Sequence, residues 1–284
     1  MRIVVVGGRA QLGAAVAETF ASGHDVTALG HDRLDIAADA AVAEMMSQLR
    51  PDVIVNCAAY NDVDGAEDRP VEALNVNAFG VRALARAAAQ HDAVLVHYSS
   101  DFVFDGAARG LYTETDRPRP RSVYAASKLI GEWFAADAPR HYVLRVESLF
   151  GCVKGGPAPR GTIASFVRKM KAGEETRVFR DRTVSPTYVP DAARATRALV
   201  ERGGPAGLYH CVNSGSCTWL EFAETLAREL GVEAHLTPLS MADASFRAER
   251  PQFCALSNQK LLAAGIGMPT WQDALGRFVL NLEP

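Results

Sequence analysis

Tyr124 and Lys128 lie four residues apart in "VYAASKLIGEW" (123–133), a helical pattern that puts both on one face. An ammonium beside a phenol lowers the phenol's pKa from its usual value of about 10, and a tyrosine so poised exchanges protons with a substrate. The same spacing also arises on solvated helices with no chemistry attached. A second stretch weighs on the choice. "VHYSSDFVFDG" (96–106) ends an apolar run with Ser99, Ser100 and Asp101, where a serine hydroxyl would hold the oxygen that Tyr124 protonates.

A third stretch, "GGRAQLG" (7–13), follows "MRIVVV" and precedes the helix-like "AAVAETFASG". Gly7 suits a tight turn, Gly13 suits close helix–strand packing, and a helix N-terminus offers amides and a positive dipole end to a pyrophosphate. Ala10 stands where a middle glycine would let the backbone approach the phosphates. The stretch reads either as a dinucleotide loop or as an ordinary turn whose glycines serve geometry alone. The chain order of glycine loop, strand-end serine and Y-x-x-x-K favours the first. In "TALGHDR" (27–33) Gly30 occupies the place of the acid that an NAD site aims at the ribose. Arg9 and Arg33 are placed to meet a 2′-phosphate. The expected cofactor is NADPH or NADH, leaning towards NADPH.

These groups need a scaffold, and the hydrophobic pattern supplies one. Apolar runs at 2–6, 25–29, 52–56, 93–98 and 141–146 alternate with helical stretches at 11–22, 38–49, 70–91 and 122–136. Runs without strict alternation are strands covered on both faces, and strands separated by helices make a parallel sheet. The expected fold is α/β, a doubly wound, Rossmann-like parallel sheet with a smaller C-terminal substrate lobe. Ligands of such sheets sit beyond the carboxyl ends of the strands. Residues 1–150 read as the dinucleotide-binding domain and 151–284 mainly as the substrate lobe, with about 180–205 returning to the sheet. "GCVKGGPAPRG" (151–161) is a Gly/Pro loop between them, and later helical patterns fall at 162–172, 190–202, 218–230 and 257–264, with strands near 176–179 and 208–212.

Bulk properties exclude several classes. In 284 residues, 48% hydrophobic and 22% charged with a formal net charge of -3, nothing favours a nucleic-acid partner. No apolar run approaches the roughly 18–20 residues that cross a bilayer, and no export signal precedes the first strand pattern, so a cytoplasmic protein is expected. Five cysteines without C-x-x-C spacing suit reduced thiols. The seven histidines are scattered, and no metal is expected.

The joint pattern resembles the extended short-chain dehydrogenase/reductases, and more closely the dTDP-4-dehydrorhamnose reductase family of nucleotide-sugar ketoreductases. The strings that carry the resemblance are "GGRAQLG", "RPDVIVNCAAYNDVDGAE" (50–67), "LNVNA" (74–78), "YSSDFVFDG" (98–106) and "YAASKLIGE" (124–132). Further on come "SPTYVPDAARA" (185–195), "GLYHCVNSGSCTWLEFA" (207–223) and "RPQFCALSNQKL" (250–261). The resemblance implies a catalytic set of Ser100, Tyr124 and Lys128, with a nucleotide-linked 4-keto-6-deoxyhexose as substrate. It implies that Ala10, Gln11 and Leu12 line the pyrophosphate, with Gly7, Arg9, Gly13, Tyr124 and Lys128 also counted among the cofactor-binding residues. Asp35 and Ile36 would flank the adenine, Ala58, Ala59 and Tyr60 would lie along the cofactor, and Lys128 would hold the nicotinamide ribose. Asp101, Phe102, Ser148 and Arg250 join Ser100 as substrate residues.

The chain also departs from the family. Ser148 stands at a tryptophan position, Glu147 adds a carboxylate, Phe102 replaces a tyrosine and Phe253 an asparagine. Ala15 stands where some members carry the acid of a metal-bridged dimer, so that metal is not carried over and assembly as a homodimer is left open. Two other readings keep the scaffold: an epimerase/reductase acting on a different substrate, and a non-catalytic, cofactor-binding regulatory subunit.

Overall fold

The first half of the chain alternates strand and helix: β1 (Arg2–Val6), α1 (Gln11–Ala21), β2 (Asp25–Leu29), α2 (Asp39–Leu49) and β3 (Val53–Asn56). Next come α3 (Val63–Asp68) and α4 (Pro70–Leu74), the latter continuing through a π-helical turn, Asn75–Phe79, into α5 (Gly80–Gln90). Then follow β4 (Val94–Ser100), a 3-10 turn at Asp101–Val103, α6 (Val123–Ala135) and β5 (His141–Val146). These elements come from a computed structural model that describes residues 1–153, 155–158 and 161–282.

The second half contributes β6 (Leu149–Phe150), α7 (Thr162–Lys171), β7 (Thr176–Phe179), β8 (Thr183–Val184), β9 (Thr187–Tyr188) and α8 (Val189–Arg202). It ends with β10 (Gly207–His210), β11 (Cys217–Thr218), α9 (Trp219–Leu230), β12 (Leu236–Leu239), α10 (Gln259–Ala263) and α11 (Trp271–Leu280).

Six strands pair in parallel in the order β10-β5-β4-β3-β1-β2. The doubly wound parallel sheet expected from the apolar runs is therefore present. Every residue of β3 and β4 is buried, as strands covered on both faces must be. Chain direction along the sheet reverses between β1 and β3, and this switch point opens a crevice at their carboxyl ends.

Three details differ from the sequence pattern. β4 runs on to Ser100, so Ser99 and Ser100 pair within the sheet with Arg145 and Val146 of β5. The helical stretch over 70–91 contains a π turn at 75–79. The strand near 208–212 stops at His210 and adds itself beside β5 as a sixth strand of the main sheet.

Three short two-stranded pairs, β11-β8, β12-β7 and β6-β9, belong to the second half. A separate aromatic core joins them to α7, α9 and α11 through Phe166, Trp219, Phe222, Trp271 and Phe278. Among the described residues no helix is long and apolar enough to cross a membrane.

Glycine is required where backbones meet at the switch point. Gly7 has φ +73°, and a Cβ there would stand 2.6 Å from the Ala58 backbone nitrogen after β3. Gly173 has a similar φ of +67° with open space around it. Gly7→Ala is expected to destabilise the chain by about 2 kcal/mol more than Gly173→Ala, because strain alone operates at the second site. Paired urea unfolding curves check this; equal losses would show that the approach of β1 and β3 imposes no constraint.

Candidate active site

Ser100 ends β4, and its Oγ accepts a hydrogen bond from Phe102 N–H at 3.2 Å, capping the 3-10 turn that carries Asp101. Its own hydroxyl donates to Asp101 Oδ1 at 2.9 Å. Across from it, α6 starts at Ser122, whose side chain accepts from Ala125 N–H at 3.2 Å, so Tyr124 lies in the first turn and Lys128 one turn on. Tyr124 is 8% exposed and Lys128 3%. The Phe102 ring meets Tyr124 edge-on at 5.6 Å. Lys128 Nζ donates to the Tyr98 carbonyl at 2.6 Å.

The electrostatics correct one expectation. Burial, followed by the Asp101 carboxylate, pushes the Tyr124 phenol up to about 12, while the Ser100 hydroxyl acts the other way. Burial and Asp101 outweigh any lowering of the phenol, and the Lys128 ammonium donates to the Tyr98 carbonyl. Burial pulls Lys128 down to about 8 against the attraction of Glu132 and Cys57. At neutral pH the site therefore holds a protonated phenol beside a mostly charged lysine.

These groups line a cavity of about 550 Å³. Arg9, Ala10, Gln11 and Leu12 form one wall and Ala58 and Ala59 the floor, with Ser100, Asp101, Phe102, Tyr124, Lys128 and Ser148 at the other end. A second cavity of about 350 Å³ shares Arg9, Ala10, Ala58 and Ala59 and extends past Gly7, Asp35, Ile36 and Tyr60. Together they make a two-part groove across the switch point. The residues fit an extended dinucleotide: α1 follows Ala10 at its N-cap without a side-chain cap or an acidic residue in its first turn, leaving its amides and dipole for an anion.

Some expected residues lie elsewhere. Gly13 touches neither cavity; it packs beneath the loop, where a Cβ would overlap the Gly7 carbonyl. Arg250 is held by Asp64, with nitrogens 2.9 and 2.8 Å from the carboxylate oxygens, and its guanidinium covers the Phe246 ring. It lines neither cavity, so the structure does not bring it to the site. Arg33 and Phe253 are also outside both linings; Phe253 packs near Tyr112. Arg9 forms an exposed pair with Asp32 at 3.1 Å on the groove's rim.

With this geometry in view, residues 1–283 match the family model described as the RmlD substrate binding domain. The chain belongs to the RmlD substrate binding domain family. A dTDP-4-dehydrorhamnose reductase of Mycobacterium tuberculosis is 37% identical, covering 96% of this chain and 91% of its own length. A probable dTDP-4,6-dihydroxy-2-methyloxan-3-one 4-ketoreductase of Streptomyces antibioticus is 33% identical, over 97% of this chain and 93% of its own. The crystal structure of a dTDP-4-dehydrorhamnose reductase of Bacillus anthracis in complex with NADP superposes with a TM-score of 0.93 at 31% identity, covering 99% of each chain.

In this member of the RmlD substrate binding domain family, several contributors escape motif reading. Cys57 and His31 line the groove, and the Tyr98 backbone carbonyl holds Lys128. Glu132, one turn beyond Lys128, takes Ser99 Oγ at 2.6 Å and a two-pronged pair from Arg145 at 2.8 and 2.7 Å. Its signal was present as the final residue of "YAASKLIGE", on the helix face of Tyr124 and Lys128. Breaking a buried pair strands the other charge. Arg145→Met is expected to lower stability by about 3–5 kcal/mol, and adding Glu132→Leu should recover much of it. Chemical denaturation of both variants checks this; no recovery in the double variant would contradict the stranded-charge account.

Proposed function

We propose that this chain is an NAD(P)H-dependent oxidoreductase that reduces the 4-keto group of a nucleotide-linked 6-deoxyhexose, with Tyr124 as proton donor. The observation that carries the reading is the convergence of Ser100, Tyr124 and Lys128 on one end of a cavity whose other end is the uncapped start of α1. Relatives named for this reduction, one of them crystallised with NADP, support the substrate and cofactor class.

When bound, the reduced nicotinamide supplies the hydride. The loop Arg9–Leu12 and the α1 amides would hold its pyrophosphate, Asp35 and Ile36 would border the adenine, and Ala58, Ala59 and Tyr60 would line its length. Tyr124 is neutral at working pH and gives its phenolic proton to the substrate oxygen as that oxygen becomes an alkoxide. The Ser100 hydroxyl turns from Asp101 to hold the same oxygen. Lys128 stabilises the phenolate left behind and binds the ribose. Asp101, Phe102 and Ser148 face the sugar, and Arg250 is left out of this set. A cytoplasmic location accords with free thiols at Cys57, Cys211, Cys217 and Cys254. Homodimer assembly is part of the proposal, and Val71, Phe79 and Trp133 are among the large hydrophobics left exposed.

Tyr124→Phe is expected to lower kcat about 10²–10⁴-fold with a nucleotide-linked 4-keto-sugar, while titration calorimetry shows cofactor affinity unchanged. A wild-type rate would overturn the assignment and return weight to a non-catalytic subunit. Lys128 has a second signature. Its charged form predominates below about 8 and is lost above it, so kcat/KM should hold level on the acid side and fall as pH rises through that value. In Lys128→Met the remaining activity should lack this alkaline limb.

A further inference from the structure

Beside Ser100 lies a buried group of side chains of which the reduction just described uses only Asp101, as a neighbour of the sugar. Asp101 and Glu147 are 3% and 2% exposed, and with Cys254 they bring two carboxylate oxygens and a sulfur within 4.8 Å of one another. Each acid is only half satisfied. Asp101 Oδ1 accepts from Ser100 at 2.9 Å, and Glu147 Oε2 accepts from Ser185 N–H at 2.7 Å. Asp101 Oδ2 and Glu147 Oε1 are buried with no hydrogen-bond partner among the described residues.

Among the described residues, Arg182 is the cation that faces the two acids. Arg182 lays its guanidinium over the Phe102 ring at 5.5 Å and donates weakly to Cys254 Sγ at 3.8 Å. The thiols around the acids stay neutral: burial pushes Cys254 and Cys217 up, and Cys254 donates to the Pro251 carbonyl at 3.2 Å. Two buried carboxylates so close, facing one guanidinium among the described residues, strongly disfavour double ionisation at rest. A single retained proton relieves the repulsion and gives the two orphaned oxygens the donor they lack. Burial raises both acids, and the Asp101 charge adds to the rise at Glu147. Since Arg182 already meets the remaining charge, the cluster needs no metal ion to balance it.

We propose that Asp101 and Glu147 share one proton and return it through Ser100 to Tyr124 after each reduction. The proposal rests on Tyr124 being the donor. As the product hydroxyl forms, the Tyr124 O–H bond breaks and leaves a phenolate. The phenolate takes the Ser100 hydroxyl hydrogen, and the Asp101 carboxyl rotates to turn its protonated oxygen from Glu147 to Ser100 Oγ, which takes the shared proton as that O–H bond breaks. The acid pair is left doubly ionised and recovers a proton from solvent hydronium before the next turnover. No electrons move in this relay, and charge is conserved at each transfer. Ser100 is suited to the middle place: its hydroxyl is bonded to Asp101, and it lines the same cavity as Tyr124, whose phenol it draws down. Asp101 and Glu147 act through Ser100, so both are positioning residues that store a proton.

Glu147→Gln tests the relay, since a carboxamide keeps the acceptor for Ser185 N–H and stores no proton. Rapid mixing with reduced cofactor and a nucleotide-linked 4-keto-sugar should show a first turnover at the wild-type rate. Later turnovers should slow about tenfold or more and recover when a small buffer acid is added. Infrared difference spectra of the wild type near neutral pH should show a protonated carboxyl band that Glu147→Gln lacks. Loss of the first turnover to the same extent, or a steady-state rate equal to wild type, would overturn the relay. The absence of a protonated carboxyl in the wild type would overturn it whether or not the variant folds. If the wild type reduces no keto-sugar, the assignment of Tyr124 fails separately, and the band alone then decides whether the proton is shared.

Discussion

Arg145 lies in the middle of a parallel sheet with 1% of its surface exposed, a position that a charge can occupy only with a partner of matching shape. Glu132 is that partner. It reaches from α6 and meets the guanidinium along both prongs, while Ser99 of β4 donates to one of its oxygens and Phe104 lies under the cation at 4.8 Å. Three elements are joined there: the helix with Tyr124 and Lys128, the strand that ends at Ser100, and β5, whose continuation carries Glu147 and Ser148. A buried ion pair is weak evidence for stability, because desolvation offsets most of the attraction. Its contribution here is positional. It holds α6 against β4 and β5, and Tyr124 and Lys128 face the cavity only in that arrangement.

The same carboxylate sets the charge on the site. Burial alone would leave Lys128 neutral more readily, and Glu132, one turn away, resists that. Tyr124 receives no comparable help from a cation, so burial and Asp101 keep its proton on the phenol. A depressed lysine and an elevated tyrosine suit reduction better than the reverse reaction. The donor starts loaded, and the nearby positive charge matters once the phenolate has formed.

Patterns that repeat over several residues were legible in the sequence. The five apolar runs of the first half became β1–β5, and residues of the glycine loop, the strand-end serine and Y-x-x-x-K line one cavity. Features set by a single distant contact were not legible. Nothing near Arg250 shows that Asp64, far off in the chain, takes its guanidinium. Nothing in the spacing of Tyr124 and Lys128 shows that a backbone carbonyl captures the ammonium. The Glu132–Arg145 pair was hidden for the same reason, since its two ends are a helix and a strand whose docking neither one encodes alone. β10 escaped assignment to the main sheet because a four-residue run identifies a strand without identifying its neighbour.

The loop "GGRAQLG" separates two kinds of constraint that a glycine pattern runs together. Gly7 is demanded by the chain itself, through a positive φ and the backbone of Ala58, and Gly13 by the carbonyl of Gly7. Position 10 makes no such demand. Its φ of -79° and ψ of 162° are open to any residue, and its methyl group is exposed at the junction of both cavities. A glycine there would therefore serve the ligand's approach and leave the folding of the loop unaffected. Alanine at position 10 keeps the loop, the helix start and the groove, and changes only the surface that a phosphate meets.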